Sequence, residues 1–550
     1  MQDTIRISHI EGNATPVVVD ACSRARQGSL ISFEKGVYHF RKEGSIRKDI
    51  RGINILPGEK NVAFDLEEAV DLVIDGNGSE FIFDDIMFPI SMRHCRNVTL
   101  RNFSIDFSFT RYCQGKVVQS DEDGFELAID ARHFNVDVDA SGHVVFHSRG
   151  LSVSTEERCI LLGNAIFGKG PWDYVFAGDS SKSKENLPTS YIETDAVATE
   201  RGIRFVYRQE SRRLVFDLGD DLIFCYEPRA NVNILSHKCE NIHLENITMY
   251  RGGGMGIVVG RTRDFFADHI AIQVKPGRDE CRSTTADGIF IVQCDGTVSI
   301  RNSLIADTLD DALNIHGIYH KVCEASGKNM LLVVGHSAHL DFMNYEPHDR
   351  IEVSDHETQC HKAFFTVENA ELLADGRIKL ELDRDCSGIA VDDIVENQSR
   401  VPDFVFEDNR VERCPHLRIS DNGSHSIRRN TFDGISHIVV QDLLRYWYES
   451  GAVDGMVIEG NHFTGCPRSG DAWPISIGSR RKDDVDIRHR DISILNNRFI
   501  MTNSRAISAS HVDGLVIRGN QFHGGDEDSA LQIKNCTDVS CDENTFVKTE

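Results

Sequence analysis

A short pattern that recurs along the chain is the feature that most constrains its fold. Each copy alternates apolar and polar residues, reaches an asparagine, and continues with further apolar or aromatic residues. Alternation with a period of two, followed by a polar corner, is typical of a short β-strand with one buried face. The copies are NVTLRNFS, NIHLENIT, TVSIRNSL, FVFEDNRV, HSIRRNTF, MVIEGNHF, ISILNNRF, LVIRGNQF and VSCDENTF, and their asparagines are Asn102, Asn246, Asn302, Asn409, Asn430, Asn461, Asn497, Asn520 and Asn544.

The spacing of these copies favours a repeat fold in which each copy belongs to one coil. From Asn409 onward the asparagines are 21, 31, 36, 23 and 24 residues apart. A spacing in the twenties suits one coil of a parallel β-helix, which consists of three short strands and their turns. Coils stack about 4.8 Å apart, so equivalent asparagines can form hydrogen-bonded ladders. We therefore predict an all-β protein built on a right-handed parallel β-helix.

Other segments indicate a capping helix and two insertions. ATPVVVDACSRARQG has helical periodicity and ends at Gly28, which predicts an amphipathic helix over the first coil. Two stretches without the asparagine pattern show strand alternation and turn signals instead, and we interpret them as small antiparallel β-barrel-like modules. The predicted division is 1–108, β-helix with cap; 109–235, first module; 236–318, catalytic coils; 319–402, second module; and 403–550, C-terminal coils.

Charge and composition limit the partners of the chain. A net charge of −26 over 550 residues repels nucleic acid and polyuronates, so we expect no nucleic-acid partner and a neutral ligand. No apolar run is long enough for a membrane span. The N-terminal sequence MQDTIRISHIEG has no signal-peptide pattern. We expect an exported protein whose signal is absent from this chain, and a homodimer is also an expectation.

The cysteines are interpreted as packing residues. There are fifteen of them, an odd number, and no CxxC motif occurs. Cys95, Cys239, Cys294 and Cys536 each lie seven or eight residues before the asparagine of their copy. This regular position predicts that they fill one ladder inside the coils as small apolar side chains.

A pair of adjacent aspartates in ADTLDDALNIHG is the strongest candidate for a functional site. Asp287 lies 23 residues before Asp310 and 24 before Asp311, which is one coil. Two adjacent strand residues face the same side only if the chain bends, and the glycine of the same stretch is a candidate for that bend. Asn314 and His316 follow with strand spacing. The sequence thus predicts three carboxylates, an amide and an imidazole on one outward patch.

Glycoside hydrolysis suits such a patch. One carboxyl group must hold a proton for the leaving oxygen, while another stays ionised to activate water. Carboxyl groups about 6.5–9.5 Å apart leave room for that water and invert the anomeric configuration, while a separation of about 5 Å gives retention. Inversion is the prediction. A solvated turn or a calcium site are the alternative interpretations of the acidic residues.

The motifs that surround the aspartates resemble those of one enzyme family. TTADGIFIVQCDGTVSIRN followed by DTLDDALNIHGIYHKV is similar to the core of the family 110 glycoside hydrolases, and KPGRDECRSTTADG and MYRGGGMGIVVG fit the same resemblance. The resemblance covers most of the chain, including both modules. It implies a bacterial, inverting, exo-acting α-1,3-galactosidase that removes terminal galactose from blood group B and related glycans.

The resemblance also implies roles for particular residues. Asp287, Asp310 and Asp311 correspond to the catalytic carboxylates of the family. In the distantly similar polygalacturonases the equivalent of Asp310 is the acid, and the other two orient water; however, those enzymes have a Gly-His-Gly turn where this chain reads NIHG. Which aspartate holds the proton stays open. No cofactor and no metal are implied.

Several further residues are candidates for binding sugar. Asn314 and His316 are expected to contact sugar hydroxyls, and Lys275 and Arg282 to line the preceding coil. Trp447 and Trp473 are candidates for stacking on a galactose face, although each could equally be structural.

Two other functions remain possible from the sequence. One is a polygalacturonase-like hydrolase or a lyase on the same fold, and the other is a non-catalytic glycan-binding β-helix. A lyase needs basic groups opposite a uronate, and the patch is rich in carboxylates instead. A glycan-binding β-helix of the tail-spike type usually trimerises through its ends, and the C-terminal DENTFVKTE shows no heptads.

Overall fold

The chain forms a parallel β-helix, as predicted. Its computed structural model describes residues 3–51, 53–130, 136–138, 144–148, 151–154, 160–161, 194–207, 216–225, 229–326, 328–336, 343–434, 437–441, 447–465, 473–478, 487, 489–500 and 504–547. Strands from successive coils pair in parallel and in register. Ile242, for example, pairs with Val98 of the coil before it and with Phe265 of the coil after it.

Two stacks of strands make up the coils. The first stack contains Thr4–Ile7, Leu30–Phe33, Val37–Phe40, Val73–Phe83, Arg96–Phe107, Glu240–Met249, Arg263–Ile272, Asp295–Arg301, Leu304–Ala306, Pro402–Glu407, Arg410–Glu412, His425–Arg428, Thr431–Asp433, Asp454–Glu459, His462–Thr464, His489–Leu495, Arg498–Ile500, Val512–Arg518, Gln521–His523, Thr537–Asp542 and Thr545–Val547.

The second stack carries the candidate site. Its parallel strands are Gly58–Glu67, Phe88–Arg93, Asn231–His237, Gly254–Gly260, Ile289–Val292, Leu313–Ser326, His416–Ser420, His437–Val440, Ile475–Ile477, Ile507–Ser510 and Leu531–Lys534. Two further strands, Ile46–Ile50 and Glu449–Ser450, pair with members of this stack in the antiparallel direction.

The interior of the coils is filled by ladders of apolar side chains. Phe432, Phe463, Phe499, Phe522 and Phe546 each lie two residues after the asparagine of their copy, and each ring stacks on the next with centroids 4.8 to 5.1 Å apart. Offset stacking at this separation is favourable for aromatic rings. The stacking continues through the C-terminal coils and fixes their register.

The asparagines form hydrogen-bonded ladders, as expected, and there are two of them among the described residues. In the C-terminal half they are buried, and Asn461 Nδ2, for example, donates to Asn497 Oδ1 at 3.0 Å. In the N-terminal half Asn246 Nδ2 donates to Asn102 Oδ1 at 3.2 Å on an exposed edge. Both of these residues have a left-handed backbone, with φ of 53° and 59°, a conformation that asparagine tolerates better than most residues.

The ladder changes between Asn302 and Asn409 because the pairing shifts by one residue. Asn409 Oδ1 accepts from the backbone N–H of Ser303, so the partner of Asn409 in the preceding coil is Ser303 and not Asn302. Asn302 pairs instead with Asp268, to which its Nδ2 donates at 2.7 Å. Alignment of the copies by their asparagines alone missed this step.

Cysteines occupy a row of their own inside the coils. Cys95, Cys239 and Cys294 are buried in the coil interior next to strand ends that pair in register. Cys95 N–H donates to Cys239 Sγ at 3.4 Å. Cys536 lies at the equivalent place in the last coil and is partly exposed there. The side chains therefore pack as the ladder interpretation expects.

A helix covers the first coil. It spans Thr15–Arg24, with Pro16 in its first turn, and Val18 and Ala21 are buried against the coil interior. The helix ends before the predicted Gly28, which adopts φ of 81° in the following turn. A second, short helix is Glu527–Ala530. Neither of these helices has the length and apolar character that crossing a bilayer requires, in the part of the chain that the structure describes.

Antiparallel sheets lie within the two segments where the coil pattern stops. The first sheet contains Tyr112–Asp121, Gly124–Ile129, Ile160–Leu161, Thr194–Ala198, Gly202–Tyr207 and Asp221–Cys225, next to a small sheet of Val136–Val138, Val144–Ser148 and Leu151–Ser154. The second sheet contains Met330–Val334, Arg350–Ser354, His361–Leu372, Ile378–Leu382 and Ile394–Asn397. Strand Leu313–Ser326 runs from the coil into this second sheet. The exact module boundaries stay predictions.

Candidate active site

Three aspartates come together because two adjacent coils enter the same stack of strands in the same way. Strand Ile289–Val292 pairs in parallel with Leu313–Ser326, with Ile289 opposite Leu313. Asp287 and Asp311 each lie two residues before these paired positions, and Gly288 N–H donates to the Asp311 carbonyl at 2.9 Å. The spacing of 24 residues in the sequence is therefore one coil in the structure.

The bend that lets adjacent aspartates share one side lies before the strand. The chain bends over 307–312, and Asp307 has φ of 58°. Gly317, the glycine expected to serve the bend, lies inside strand Leu313–Ser326 instead. A Cβ atom at position 317 would lie 2.3 Å from Ser450 Oγ, so this glycine is required by close packing against a neighbouring strand.

The three carboxyl groups form a tight cluster, which we call the aspartate trio. One oxygen of each of Asp287, Asp310 and Asp311 lies within 4.8 Å of the others. Their exposure differs: the side chains of Asp287 and Asp311 are 2% and 7% exposed, while that of Asp310 is 31% exposed. An outward patch with all three open to solvent was expected, and only Asp310 fits that description. The trio is a buried group with one member at the surface.

An arginine that the sequence did not suggest links two members of the trio. Arg229 Nη2 donates to Asp310 Oδ2 at 3.0 Å and lies 3.5 Å from Asp287 Oδ1. Its side chain is only 11% exposed. Because a cation in such surroundings is poorly screened, it balances about one negative charge of the Asp287–Asp310 pair.

Asp311 is held in the ionised state by two basic side chains. His416 Nδ1 lies 2.7 Å from Asp311 Oδ1, and Arg418 Nε donates to Oδ2 at 3.2 Å. Burial alone would raise the pKa of Asp311, but the Arg418 cation and His416 outweigh it and lower the pKa to about 2. Both carboxylate oxygens of Asp311 are thus engaged.

Asp287 has the opposite character. Its burial, and then the negative charge of Asp310, raise its pKa well above the ordinary value of an aspartate, although Arg229 acts in the other direction. Its Oδ2 has no hydrogen-bond partner among the described residues. The trio therefore combines a carboxyl group that keeps a proton with one that stays ionised, which is the division that acid–base catalysis requires.

Asn314 and His316 follow Asp311 on the catalytic strand, but they are buried and do not lie on the outward patch that was expected. They stand on strand Leu313–Ser326 opposite Phe290 and Val292 of the preceding coil, and both are at least 96% buried. Asn314 Nδ2 donates to Glu449 Oε1 at 3.1 Å. His316 Nδ1 lies 2.6 Å from the Gly317 carbonyl, and its Nε2 lies 3.8 Å from Glu449 Oε1.

Lys275 and Arg282 have structural partners instead. Lys275 Nζ lies 3.0 Å from Glu80 and 3.6 Å from Asp106, neither of which belongs to the trio. Arg282 is 3% exposed, and its backbone N–H and carbonyl both bond to the Tyr112 hydroxyl. Their predicted role in binding sugar gains no support from this geometry.

The two tryptophan candidates also have protein partners. The Trp447 ring packs edge-on against the His336 ring at 4.9 Å between centroids. The Arg505 guanidinium lies over the Trp473 ring at 5.4 Å.

The first antiparallel sheet helps to hold the bend that carries Asp310. Leu309 is 2% exposed and packs into the apolar cluster of that sheet, together with Tyr112 and Phe216. Cys281 N–H donates to Gln114 Oε1 at 3.0 Å, which ties the segment before Asp287 to the same sheet. The sheet therefore contacts both chain segments from which the trio emerges.

Sequence reasoning missed four residues of the site: Arg229, His416, Arg418 and Glu449. His416 and Arg418 belong to the coil after Asp311, opposite Ala312 and Asn314. They are more than a hundred residues away in the sequence because the second antiparallel sheet interrupts the coil period. These two residues could have been found from the sequence by aligning the strand that follows the insertion with strand Leu313–Ser326.

A divalent cation is the group that the trio itself could hold. Its three oxygens are close enough together to act as ligands, and carboxylate oxygens are what calcium and magnesium prefer. Arg229 and Arg418 already contact all three carboxyl groups, however, and these two cations lower the negative charge available to a metal. This donor set fits proton transfer better than metal binding.

A buried carboxylate cluster on a parallel β-helix suits glycoside hydrolysis, and the similar proteins support that class. No protein-family model matches the sequence. The chain is 26% identical over 526 residues to α-1,3-galactosidase B of Bacteroides thetaiotaomicron, covering 92% of this chain and 83% of that protein. It is also 26% identical over 530 residues to α-1,3-galactosidase A of Shewanella woodyi, covering 93% and 83%.

These relatives confirm the resemblance that the motifs indicated, because the chain is similar to α-1,3-galactosidases over most of its length. Among solved structures, a polygalacturonase from Erwinia carotovora matches 99% of this chain and 94% of its own, with 11% identity and a TM-score of 0.35.

Proposed function

We propose that the protein is an exo-acting hydrolase that removes terminal α-1,3-linked galactose from glycans. The observation that carries the proposal is the aspartate trio, whose oxygens lie within 4.8 Å and whose members differ in protonation. The names of the relatives, α-1,3-galactosidase A and B, supply the linkage and the sugar. The net charge of −26 favours a neutral galactoside over a polyuronate.

Asp310 is the proposed acid. A glycan must approach from solvent, and Asp310 is the most exposed member of the trio. Asp287 and Asp310 share the Arg229 cation, and the burial of Asp287 together with the negative charge of Asp310 raises the pKa of Asp287. Asp287 therefore holds a proton more readily than an ordinary aspartate, and this proton can pass to Asp310, whose oxygen lies within 4.8 Å and which delivers it to the leaving oxygen.

Asp311 is the proposed group that orients the attacking water. Asp287 assists it once Asp287 has given up its proton. His416 and Arg418 keep Asp311 ionised at any pH at which the enzyme would operate. They also fix its orientation, which a base that holds water for in-line attack requires.

Inversion of configuration is part of the proposal. The nearest oxygens of the trio are closer than the separation of about 6.5 Å or more that is usual for inverting enzymes. However, one oxygen of Asp311 contacts His416, the other accepts from Arg418, and its pKa is about 2, so it is a poor nucleophile for a covalent intermediate. A water held by Asp311 and Asp287 is then the attacking group.

The direct test is release of galactose from defined glycans. Purified protein is incubated with α-1,3-galactobiose, the blood group B trisaccharide and polygalacturonate, and free sugar is measured. Galactose from either of the first two, but no product from polygalacturonate, is the expected result. Product from polygalacturonate alone would support the polygalacturonase-like alternative, and binding of the glycans without any release would support a non-catalytic β-helix.

A further inference from the structure

A strand that does not belong to the coils crosses the catalytic strand. Glu449–Ser450 pairs in the antiparallel direction with Leu313–Ser326, with Glu449 opposite Ile318. The chain therefore leaves the coil path and turns back across the strand that carries Asn314 and His316. This brings a fourth carboxyl group, that of Glu449, next to the trio.

The Glu449 side chain is buried and incompletely bonded. The residue is 5% exposed, and its Oε1 accepts a hydrogen bond from Asn314 Nδ2 at 3.1 Å. In the described part of the chain, Glu449 Oε2, Asn314 Oδ1 and Asp287 Oδ2 have no hydrogen-bond partner. Buried polar atoms in native proteins are nearly always bonded, so three unbonded oxygens in one neighbourhood indicate a place where a ligand supplies the donors.

Contacts on both sides hold Glu449 in this position. Tyr319 N–H donates to the Tyr448 carbonyl at 2.7 Å, and Tyr448 packs against Tyr319 and Ile394. The preceding Trp447 packs against His336, which follows a strand of the second antiparallel sheet. These contacts fix the backbone next to Glu449, and the hydrogen bond from Asn314 orients its side chain, so little conformational entropy is lost when the ligand arrives.

We propose that Glu449 is a substrate-binding residue that, together with Asn314, accepts hydrogen bonds from hydroxyl groups of the terminal galactose. This inference rests on the proposed function. The two carboxylate oxygens of a glutamate span two vicinal hydroxyls of a sugar, and a carboxylate is an acceptor only, as hydroxyl donors require. The galactose unit next to the cleaved bond must lie beside the trio, which is where Glu449 and Asn314 lie.

Glu449 also influences the trio through its charge, so the experiment must separate two roles. Its negative charge is one of the causes that raise the pKa of Asp287. If that were its only role, Glu449→Gln would change the pH profile of turnover and would affect all galactosides equally. If Glu449 binds hydroxyls, the effect depends on which hydroxyls the substrate has.

The test compares wild type and Glu449→Gln on α-1,3-galactobiose and on analogues that lack the 2-, 3-, 4- or 6-hydroxyl of the terminal galactose. A hydrogen bond to a charged group is worth about 10- to 100-fold in kcat/KM. We expect Glu449→Gln to lose about that factor on galactobiose, and to lose much less on the analogue whose missing hydroxyl is the partner of Glu449.

Glu396→Gln is the matched control. Glu396 is likewise buried, on a strand that pairs with the same Leu313–Ser326 strand at Tyr319. The kcat/KM of Glu396→Gln should stay within about twofold of wild type, because a larger loss is expected only where a hydrogen bond to a charged group is removed. If Glu449→Gln does not fold, as judged by circular dichroism, Glu449→Asp keeps the charge, shortens the side chain, and should show the same dependence on one hydroxyl.

The outcomes separate the two proposals. Equal loss on every analogue, or no loss, would overturn the role of Glu449 while leaving the hydrolase intact. A folded wild-type protein that releases galactose from no galactoside would overturn the proposed function and the inference built on it.

Discussion

Replacement of Asp310 by asparagine should abolish most of the activity and leave the fold intact. Asparagine keeps the shape of the side chain and can still hydrogen-bond, but it cannot deliver a proton. Loss of general acid assistance lowers turnover by at least about 100-fold. The effect should be much smaller for α-galactosyl fluoride, because fluoride leaves without protonation.

The stability of Asp310→Asn follows from its surroundings. Asp310 is about one third exposed, and its ion pair with Arg229 is therefore worth less than about 1 kcal/mol. Burial is the main cause of the raised pKa of Asp287, but removal of the Asp310 charge takes away the second cause and lowers that pKa, which strengthens the contact of Asp287 with Arg229, 3.5 Å away. The free energy of unfolding should then change by less than about 1 kcal/mol in either direction.

The assay is initial-rate galactose release combined with urea unfolding of the same preparations. Asp295→Asn is the control, because Asp295 also forms ion pairs with arginine (Arg263 at 3.1 Å and Arg400 at 3.0 Å) but lies outside the trio. It should lose stability without losing turnover. If Asp310→Asn instead unfolds more easily than the control, and its remaining activity follows the folded fraction, the pair of aspartates is structural and the reasoning fails.

Three further predictions concern Asp311, Asp287 and the cysteines. Asp311→Asn should lower the free energy of unfolding by about 3–5 kcal/mol near neutral pH, because it removes the carboxylate that compensates the buried Arg418 cation. The stabilisation by ionised Asp311 is complete above about pH 4 and is lost as the pH falls toward 2. The urea midpoints of wild type and Asp311→Asn should therefore move closer together in acid. Midpoints that stay equally far apart would contradict the lowered pKa of Asp311. Asp287 keeps a proton that the unfolded chain releases above about pH 4, so it lowers stability as the pH rises. The change in urea midpoint from wild type to Asp287→Asn should therefore be more favourable at neutral pH than at pH 4. A change of equal size at both pH values would refute the raised pKa of Asp287. Titration of thiols in denaturant should give close to fifteen per chain, and a much lower number would mean disulfides.

The fold could be predicted because each coil repeats its own local signals. The apolar alternation, the asparagine corner and the phenylalanine two residues later recur in each coil from Asn430 onward, so the same interpretation is tested several times. The N-terminal half was predicted less well. There the asparagines stand at exposed corners such as Asn246, while in the other half they are buried, as at Asn461. Strand alternation alone cannot distinguish these corners, because both follow a strand and both hydrogen-bond to the next coil.

The site could be predicted only where its residues lie within one uninterrupted coil period. Asp287 and Asp311 are 24 residues apart and were found by counting. Arg229, His416 and Glu449 reach the site from beyond an insertion or from a strand that runs against the coils, so no period connects them to the trio. The burial of Asp287 was also missed, because the exposure of a residue at a bend depends on the segments that pack over it.

The measurement that tests the central claim most directly is the anomeric form of the first product. Proton NMR follows the hydrolysis of α-1,3-galactobiose by wild type before galactose mutarotates, with Asp310→Asn as the parallel sample. If the trio protonates the leaving oxygen and directs water to the opposite face, β-galactose appears first and the variant gives almost none. Initial formation of α-galactose would contradict the proposed arrangement of acid and water, and undiminished release by Asp310→Asn would contradict the role of the trio itself.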